Sequence, residues 1–172
     1  MRSLFSSPGY LATESGRLLD VGCGSGVFLY GFRQRFPAWH VVGIEPTKDF
    51  ADVARKQGIE IVPCYLQADA FSVVFDLITL IHVVEHLDRA SDLLRIVKGY
   101  LKPGGLIYIE CPSDQDIGRL PLSHARFMCQ HDVIHSEDSL QRLILKAEFR
   151  PIWRGTFISR RGRQNVRIIG TT

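Results

Sequence analysis

Apolar and polar positions along this chain fall into blocks, and the blocks switch between strand-like and helix-like period. Residues 17–21, Arg17-Leu18-Leu19-Asp20-Val21, form a short apolar run ending in glycines, the pattern of a buried strand. Residues 25–36 follow with Phe28, Leu29, Phe32 and Phe36 at helical spacing. Residues 40–45 predict a second strand. Thr47 stands where a helix would be capped, with Phe50, Val53 and Ala54 expected inward and Gly58 as the stop. Residues 59–62 and 75–81 predict the third and fourth strands. Residues 88–101 predict a helix with Leu93, Leu94, Val97, Tyr100 and Leu101 on its apolar face. Lys102-Pro103-Gly104-Gly105 ends it, because proline cannot continue a helix and glycine accepts a left-handed turn. Residues 106–110 predict a fifth strand. Ser136 is expected to cap a last helix, with Glu137 and Asp138 in its electropositive first turn and Leu140, Leu143, Ile144 and Ala147 inward. Two strand-like runs, 151–159 and 165–169, predict a closing hairpin.

Strands separated by helices call for an α/β fold: a mostly parallel seven-stranded sheet in a Rossmann-like three-layer sandwich, closed by a C-terminal antiparallel hairpin. One domain over residues 1–172 is expected, with a short N-terminal segment at 1–16. Residues 112–135 carry no clean period and are expected to form a substrate loop.

Composition narrows the class. The chain has 172 residues, 45% hydrophobic and 23% charged, which excludes a disordered, collagenous or coiled-coil chain. No run of 18 apolar residues exists, so no membrane span is expected. Residues 1–16 lack the apolar core of a secretion signal, and a cytoplasmic location is expected. The four cysteines, Cys23, Cys64, Cys111 and Cys129, contain no Cys-x-x-Cys pair, which suits reduced thiols. Charge is uneven: residues 150–172 carry six arginines and no acid, and the net of +3 therefore leaves −3 for residues 1–149. Solvated arginines on a hairpin, or contact with an anionic partner, account for that tail.

The first strand-to-helix turn reads Asp20-Val21-Gly22-Cys23-Gly24-Ser25-Gly26. A dinucleotide fingerprint would need its third glycine at position 27, which is Val27. Glu45 ends the second strand, where an acid can accept hydrogen bonds from both hydroxyls of a ribose. The expected ligand is thus a nucleoside whose binding does not require the loop to hold a phosphate.

Here the sequence resembles the class I S-adenosylmethionine-dependent methyltransferases. The residues that carry the resemblance are Leu18 to Gly26, Val42-Gly43-Ile44-Glu45-Pro46, Phe75-Asp76-Leu77-Ile78, Val84-Glu85-His86-Leu87 and Leu101-Lys102-Pro103-Gly104-Gly105-Leu106. They cover about residues 17–149, and the likeness is to the branch of ubiquinone-biosynthesis O-methyltransferases and sugar-tailoring enzymes. The resemblance implies S-adenosyl-L-methionine as cofactor and a small-molecule methyl acceptor such as a sugar, quinol or phenol. It implies that Gly22, Cys23, Gly24, Ser25 and Gly26 line the methionine part, and that Asp20 orients this loop. Glu45 would hold the ribose, Pro46 would lie against the adenine, and Asp69 with Ala70 would read the adenine amino group. His82, just past the fourth strand, would lie near the transferred methyl.

Methyl transfer from a sulfonium leaves the protein to position the acceptor and, for a hydroxyl, to remove its proton. Histidine is the natural base near neutral pH. His131 matches a substrate-pocket histidine of these relatives, and a histidine that packs under the loop is its alternative. His135 replaces an expected aromatic. His131 and His82 are the catalytic candidates. No metal is expected: His82, Glu85 and His86 share a helical face but lack the first acid of metal-using relatives, and Cys129, His131 and His135 lack a fourth partner. Two other function classes compete. A nucleic-acid methyltransferase is favoured by the arginines, yet Thr79-Leu80-Ile81-His82 stands where a base-flipping Asn/Asp-Pro-Pro-Tyr/Phe motif would be. A non-catalytic cofactor-binding module of a larger assembly, completed by an oligomer or partner chain, is favoured by the short N-terminal segment. A nicotinamide-dependent dehydrogenase fails on the glycine spacing.

Overall fold

The structure, a computed structural model, describes residues 14–172 except 122, 125, 126, 128–130 and 160. The first thirteen residues of the expected N-terminal segment and Cys129 therefore lie outside the described residues. Seven strands form one sheet: β1 (Gly16–Val21), β2 (Trp39–Ile44), β3 (Glu60–Val62), β4 (Phe75–Ile81), β5 (Leu101–Pro112), β6 (Arg150–Ile158) and β7 (Gln164–Thr171). Their order is β3-β2-β1-β4-β5-β7-β6. The first five run parallel, and β7 pairs antiparallel with both β5 and β6. Among the described residues four α-helices accompany them: α1 (Val27–Arg35), α2 (Lys48–Lys56), α3 (Ala90–Gly99) and α4 (Glu137–Lys146).

The two faces of the sheet bury separate cores, and this makes the three layers. On one face Leu29 and Phe32 of α1 and Ala51 and Ala54 of α2 pack with Leu18, Trp39, Val41 and Leu77. On the other, Leu94 and Val97 of α3 and Leu140 and Ile144 of α4 pack with Leu19, Ile78, Ile107 and Ile168. Neighbouring strand positions serve opposite faces, so Leu18 and Leu19 enter different cores. Strands buried on both sides read as unbroken apolar runs, as the sequence shows.

Three local details differ from the sequence expectations. Phe50 and Val53 point outward, 53% and 44% exposed, and α2 buries Ala51 beside the expected Ala54. The small alanines let α2 approach the glycine loop, where a methyl added at Gly26 would sit 2.9 Å from Ala54 Cβ. Thr47 occupies the N-cap of α2 but its side chain makes no capping bond. Strand β5 begins at Leu101, and its register with β4 breaks after Phe75↔Leu101 and resumes at Leu77↔Leu106, so Lys102-Pro103-Gly104-Gly105 is an irregular insert within the strand. Ser136 caps α4 as expected: its hydroxyl accepts from Ser139 N at 3.0 Å, and the Ser139 hydroxyl accepts from Ser136 N at 2.9 Å. No helix among the described residues is long and apolar enough to cross a membrane.

Candidate active site

The carboxyl ends of β1, β2 and β4 meet at the strand-order switch, where ligands enter open α/β sheets. Gly22, Gly24 and Gly26 have φ of 71°, 54° and 77°, a region that costs other residues. An added Cβ at Gly22 would lie 2.7 Å from Val83 Cγ2, whereas one at Gly24 would meet nothing within 4 Å. Gly24 is thus the open position of the loop, with room for a ligand against its backbone. Gly22 N and Cys23 N donate to Ile44 O at 2.8 and 3.0 Å and pin the loop to the end of β2. Gln57 Nε2 donates to Ser25 O at 2.9 Å and ties it to α2. Cys23 is buried, and burial, helped by Asp20 and Glu45, pushes its thiol up to about 12, so it is an inert thiol.

Glu45 is buried at the end of β2 and braces both neighbouring turns. Its Oε2 accepts from Gly24 N at 2.9 Å and its Oε1 from Thr47 N at 2.8 Å. The Glu45 carboxylate thus takes the amide at the entrance to α2. Each oxygen retains a lone pair, so two ligand hydroxyls can still be accepted. Pro46 follows, half-buried. Asp69 is exposed and Ala70 half-buried on the β3–β4 connection, a segment braced by Tyr100, whose hydroxyl donates to Gln67 O at 2.8 Å and accepts from Phe71 N at 3.3 Å.

Asp20 is buried beneath the loop. Its Oδ1 accepts from the Thr79 hydroxyl at 2.6 Å. Burial raises its carboxyl from the ordinary 3.8 to about 7, against the lowering effect of Thr79, with Glu45 adding to the rise. Thr79, the polar residue inside the apolar β4 run, escaped the sequence reading; a hydroxyl amid six apolar or paired positions was the available signal.

At the end of β4 the chain turns through His82, a non-glycine residue at φ 57°. Its backbone N donates to Glu110 O at 2.8 Å. Its ring lies between two carboxylates, with Nδ1 3.1 Å from Glu85 Oε1 and Nε2 3.9 Å from Glu110 Oε1. Asn165 Nδ2 is 3.5 Å from Nε2. Glu85 is fully buried in the 3₁₀ turn Val84–His86, whereas the His82 side chain is 44% exposed. An oriented imidazole with one edge on a buried carboxylate and the other reachable is a general-base arrangement.

Glu110 gathers a polar cluster on one face of β5 and β7. It accepts from Asn165 Nδ2 at 2.8 Å, Arg167 Nε at 3.1 Å and the Tyr108 hydroxyl at 2.6 Å. Burial moves the Tyr108 hydroxyl well above the usual phenol range, so it stays a donor. Sequence reading missed Glu110 and Asn165. Their signal was there: Tyr108 and Glu110, and Asn165 and Arg167, are polar residues at alternate positions of strand runs.

His131 arrives at the same turn from the loop after β5. Asp132 N and Val133 N donate to Glu85 O at 2.8 and 3.2 Å. The His131 and His86 rings meet edge to face, centroids 4.8 Å apart. The two catalytic candidates from sequence, His82 and His131, therefore converge on one turn around Glu85. His135 is buried, its Nδ1 3.2 Å from Ser139 Oγ. Burial lowers its pKa despite the opposing pull of the Glu85 charge. His40 pairs with Glu60 on the surface and takes no part. Among the described residues, Arg167 of the terminal arginines pairs with Glu110 and Arg154 with Asp138.

Known proteins share this fold. A protein-family model described as a methyltransferase domain matches residues 4–152. The ubiquinone biosynthesis O-methyltransferase of Aeromonas salmonicida is 30% identical over 101 residues, 54% of this chain and 42% of that protein. The C-methyltransferase NovU of Streptomyces niveus is 28% identical over 106 residues, 58% of this chain and 25% of that protein. The chain thus spans less than half the length of these curated relatives. Among solved structures, an S-adenosylmethionine-dependent methyltransferase of Thermotoga maritima, a possible histamine N-methyltransferase, superposes with TM-score 0.70 at 20% identity, covering 91% of this chain and 81% of its own.

Proposed function

The chain belongs to the methyltransferase-domain family, the class I S-adenosylmethionine-dependent methyltransferases, and we propose that it methylates a hydroxyl of a small molecule. The cofactor supplies an activated methyl and its leaving group. The residues at the sheet switch suit it: Gly24 offers open backbone, and Glu45 has lone pairs for two ribose hydroxyls. Gly22, Cys23, Ser25 and Gly26 would shape the methionine cradle, with Asp20 supporting it from below. Pro46 would lie against the adenine, and Asp69 with Ala70 would read its amino group.

The observation that carries the hydroxyl acceptor is the His82 Nδ1 contact with buried Glu85 Oε1. Donation from Nδ1–H to the carboxylate leaves Nε2 as a lone-pair base. Gly22 lies directly against Val83, the neighbour of His82, so this base stands beside the cofactor loop. His82 takes the acceptor proton as the new bond to carbon forms. A hydroxyl needs such help, whereas a neutral amine needs only orientation. His131 lines the acceptor pocket from the loop side. Small sugars, quinols and phenols are the acceptor classes to screen, with labelled cofactor. The expected result is transfer that His82→Gln reduces at least 100-fold while S-adenosylhomocysteine affinity holds. Unchanged turnover in His82→Gln removes the general-base reading. Loss of cofactor affinity in wild type removes the methyltransferase reading itself.

A further inference from the structure

The two oxygens of Glu85 have unlike surroundings. Oε1 meets His82 Nδ1, but Oε2 is buried without a hydrogen-bond partner. A buried ionised oxygen with no donor is costly unless positive charge reaches it. Two imidazoles stand beside this carboxylate. One ligating atom each from Glu85, His86 and His131 lies within 4.8 Å of the other two. Chain adjacency explains only half of this set. His131 comes from the loop after β5, and the bonds from Asp132 N and Val133 N to Glu85 O hold it there.

The geometry points to a divalent transition-metal site formed by Glu85, His86 and His131. Two imidazoles and one carboxylate suit zinc or ferrous iron; magnesium prefers an all-oxygen shell with several waters. Donors around a tetrahedral ion at about 2.1 Å stand roughly 3.4 Å apart, so a small contraction of the observed cluster completes the shell. Three protein ligands leave an ion a position for water or an acceptor oxygen. His82 then supports the site by donating to Oε1 and turning Oε2 toward the ion, as partners of liganding carboxylates do. This set takes members from both metal combinations set aside on sequence grounds and coincides with neither. An ion here also fastens the loop after β5 to the turn after β4. Its use in catalysis rests on the proposed methyl transfer, whereas its binding does not.

The test is titration of the metal-stripped chain with Co2+, followed by visible absorption, alongside calorimetry with S-adenosylhomocysteine. The expected result is one equivalent of Co2+ with ligand-field bands, weakened at least 100-fold in His131→Ala and in His86→Ala. Cofactor-product affinity should be equal in all three chains, which shows that the variants fold. Wild-type Co2+ affinity no greater than that of His131→Ala overturns the site. That outcome leaves the methyltransferase reading standing, because the product titration reads it separately.

Discussion

The two halves of the site are built in different ways. The cofactor half is backbone work: three glycines at positive φ, two amides pinned to Ile44 O, and Glu45 holding the amides of Gly24 and Thr47. These parts come from residues 20–47, local in sequence and on rigid strand ends. The half proposed to meet the acceptor is side-chain work. His82, Glu85 and His86 come from the β4 turn, Glu110 from β5, His131 from the following loop and Asn165 from β7. The difference follows from the task. A constant nucleoside can be met by a fixed loop, whereas an acceptor must be met by groups that carry specificity and move a proton.

Substitutions can separate the halves. The largest effect is expected at His82, where His82→Gln should lower kcat by roughly 10²- to 10⁴-fold with little change in cofactor affinity. Steady-state kinetics with saturating cofactor reads this directly, and a matching loss of affinity would show that the halves are one unit.

Next is Asp20, buried with Thr79, Glu45 and Cys23 around it. Its folded pKa of about 7 against the ordinary 3.8 means that the free folded protein holds a proton the unfolded chain releases. The resulting stabilisation is complete below pH 4 and lost as pH climbs to 7, on the order of 4 kcal/mol. Asp20→Asn should therefore gain stability relative to wild type between pH 5 and pH 8, measured by thermal unfolding without ligand. A difference that stays flat with pH would place the charge of Asp20 elsewhere.

Glu45→Ala comes third. Losing a charged acceptor of ribose hydroxyls should weaken S-adenosylhomocysteine by about 100-fold, seen by calorimetry. A loss of only a few-fold would assign Glu45 to bracing the loop alone. Gly22→Ala attacks the contact between the halves. The positive φ and the clash with Val83 should cost about 2 kcal/mol or more in denaturant unfolding. The smallest effect is expected at Ser136→Ala, about 1 kcal/mol from the lost cap of α4. Cofactor affinity should not change there.

Much of the cofactor half was legible in the sequence, because its signals are local. A strand, a glycine-rich turn and an acid at the next strand end can be read in one pass. The order of elements was legible for the same reason: β4 matches its expected bounds, and the Ser136 cap and the terminal hairpin appear where the pattern placed them. The inward face of α2 was read only in part: Ala54 is buried as expected, but Phe50 and Val53 are exposed, because close approach to the glycine loop leaves space for small residues and Ala51 joins Ala54 there.

The sequence by itself determined an α/β chain with a glycine-rich turn after β1 and an acid at the end of β2, the place proposed for a nucleoside. Hydrophobic period and turn chemistry act over a few residues, and nothing distant can reverse them cheaply. Tertiary structure alone decided which polar residues meet. Glu85 could not be known to lie under both His82 and His131, nor Asp20 to bond Thr79, nor Glu110 to gather Tyr108, Asn165 and Arg167. Those meetings depend on strand order and on β7 inserting beside β5. Register across strands far apart in sequence, set by the packing of two cores, brings those side chains within hydrogen-bond distance.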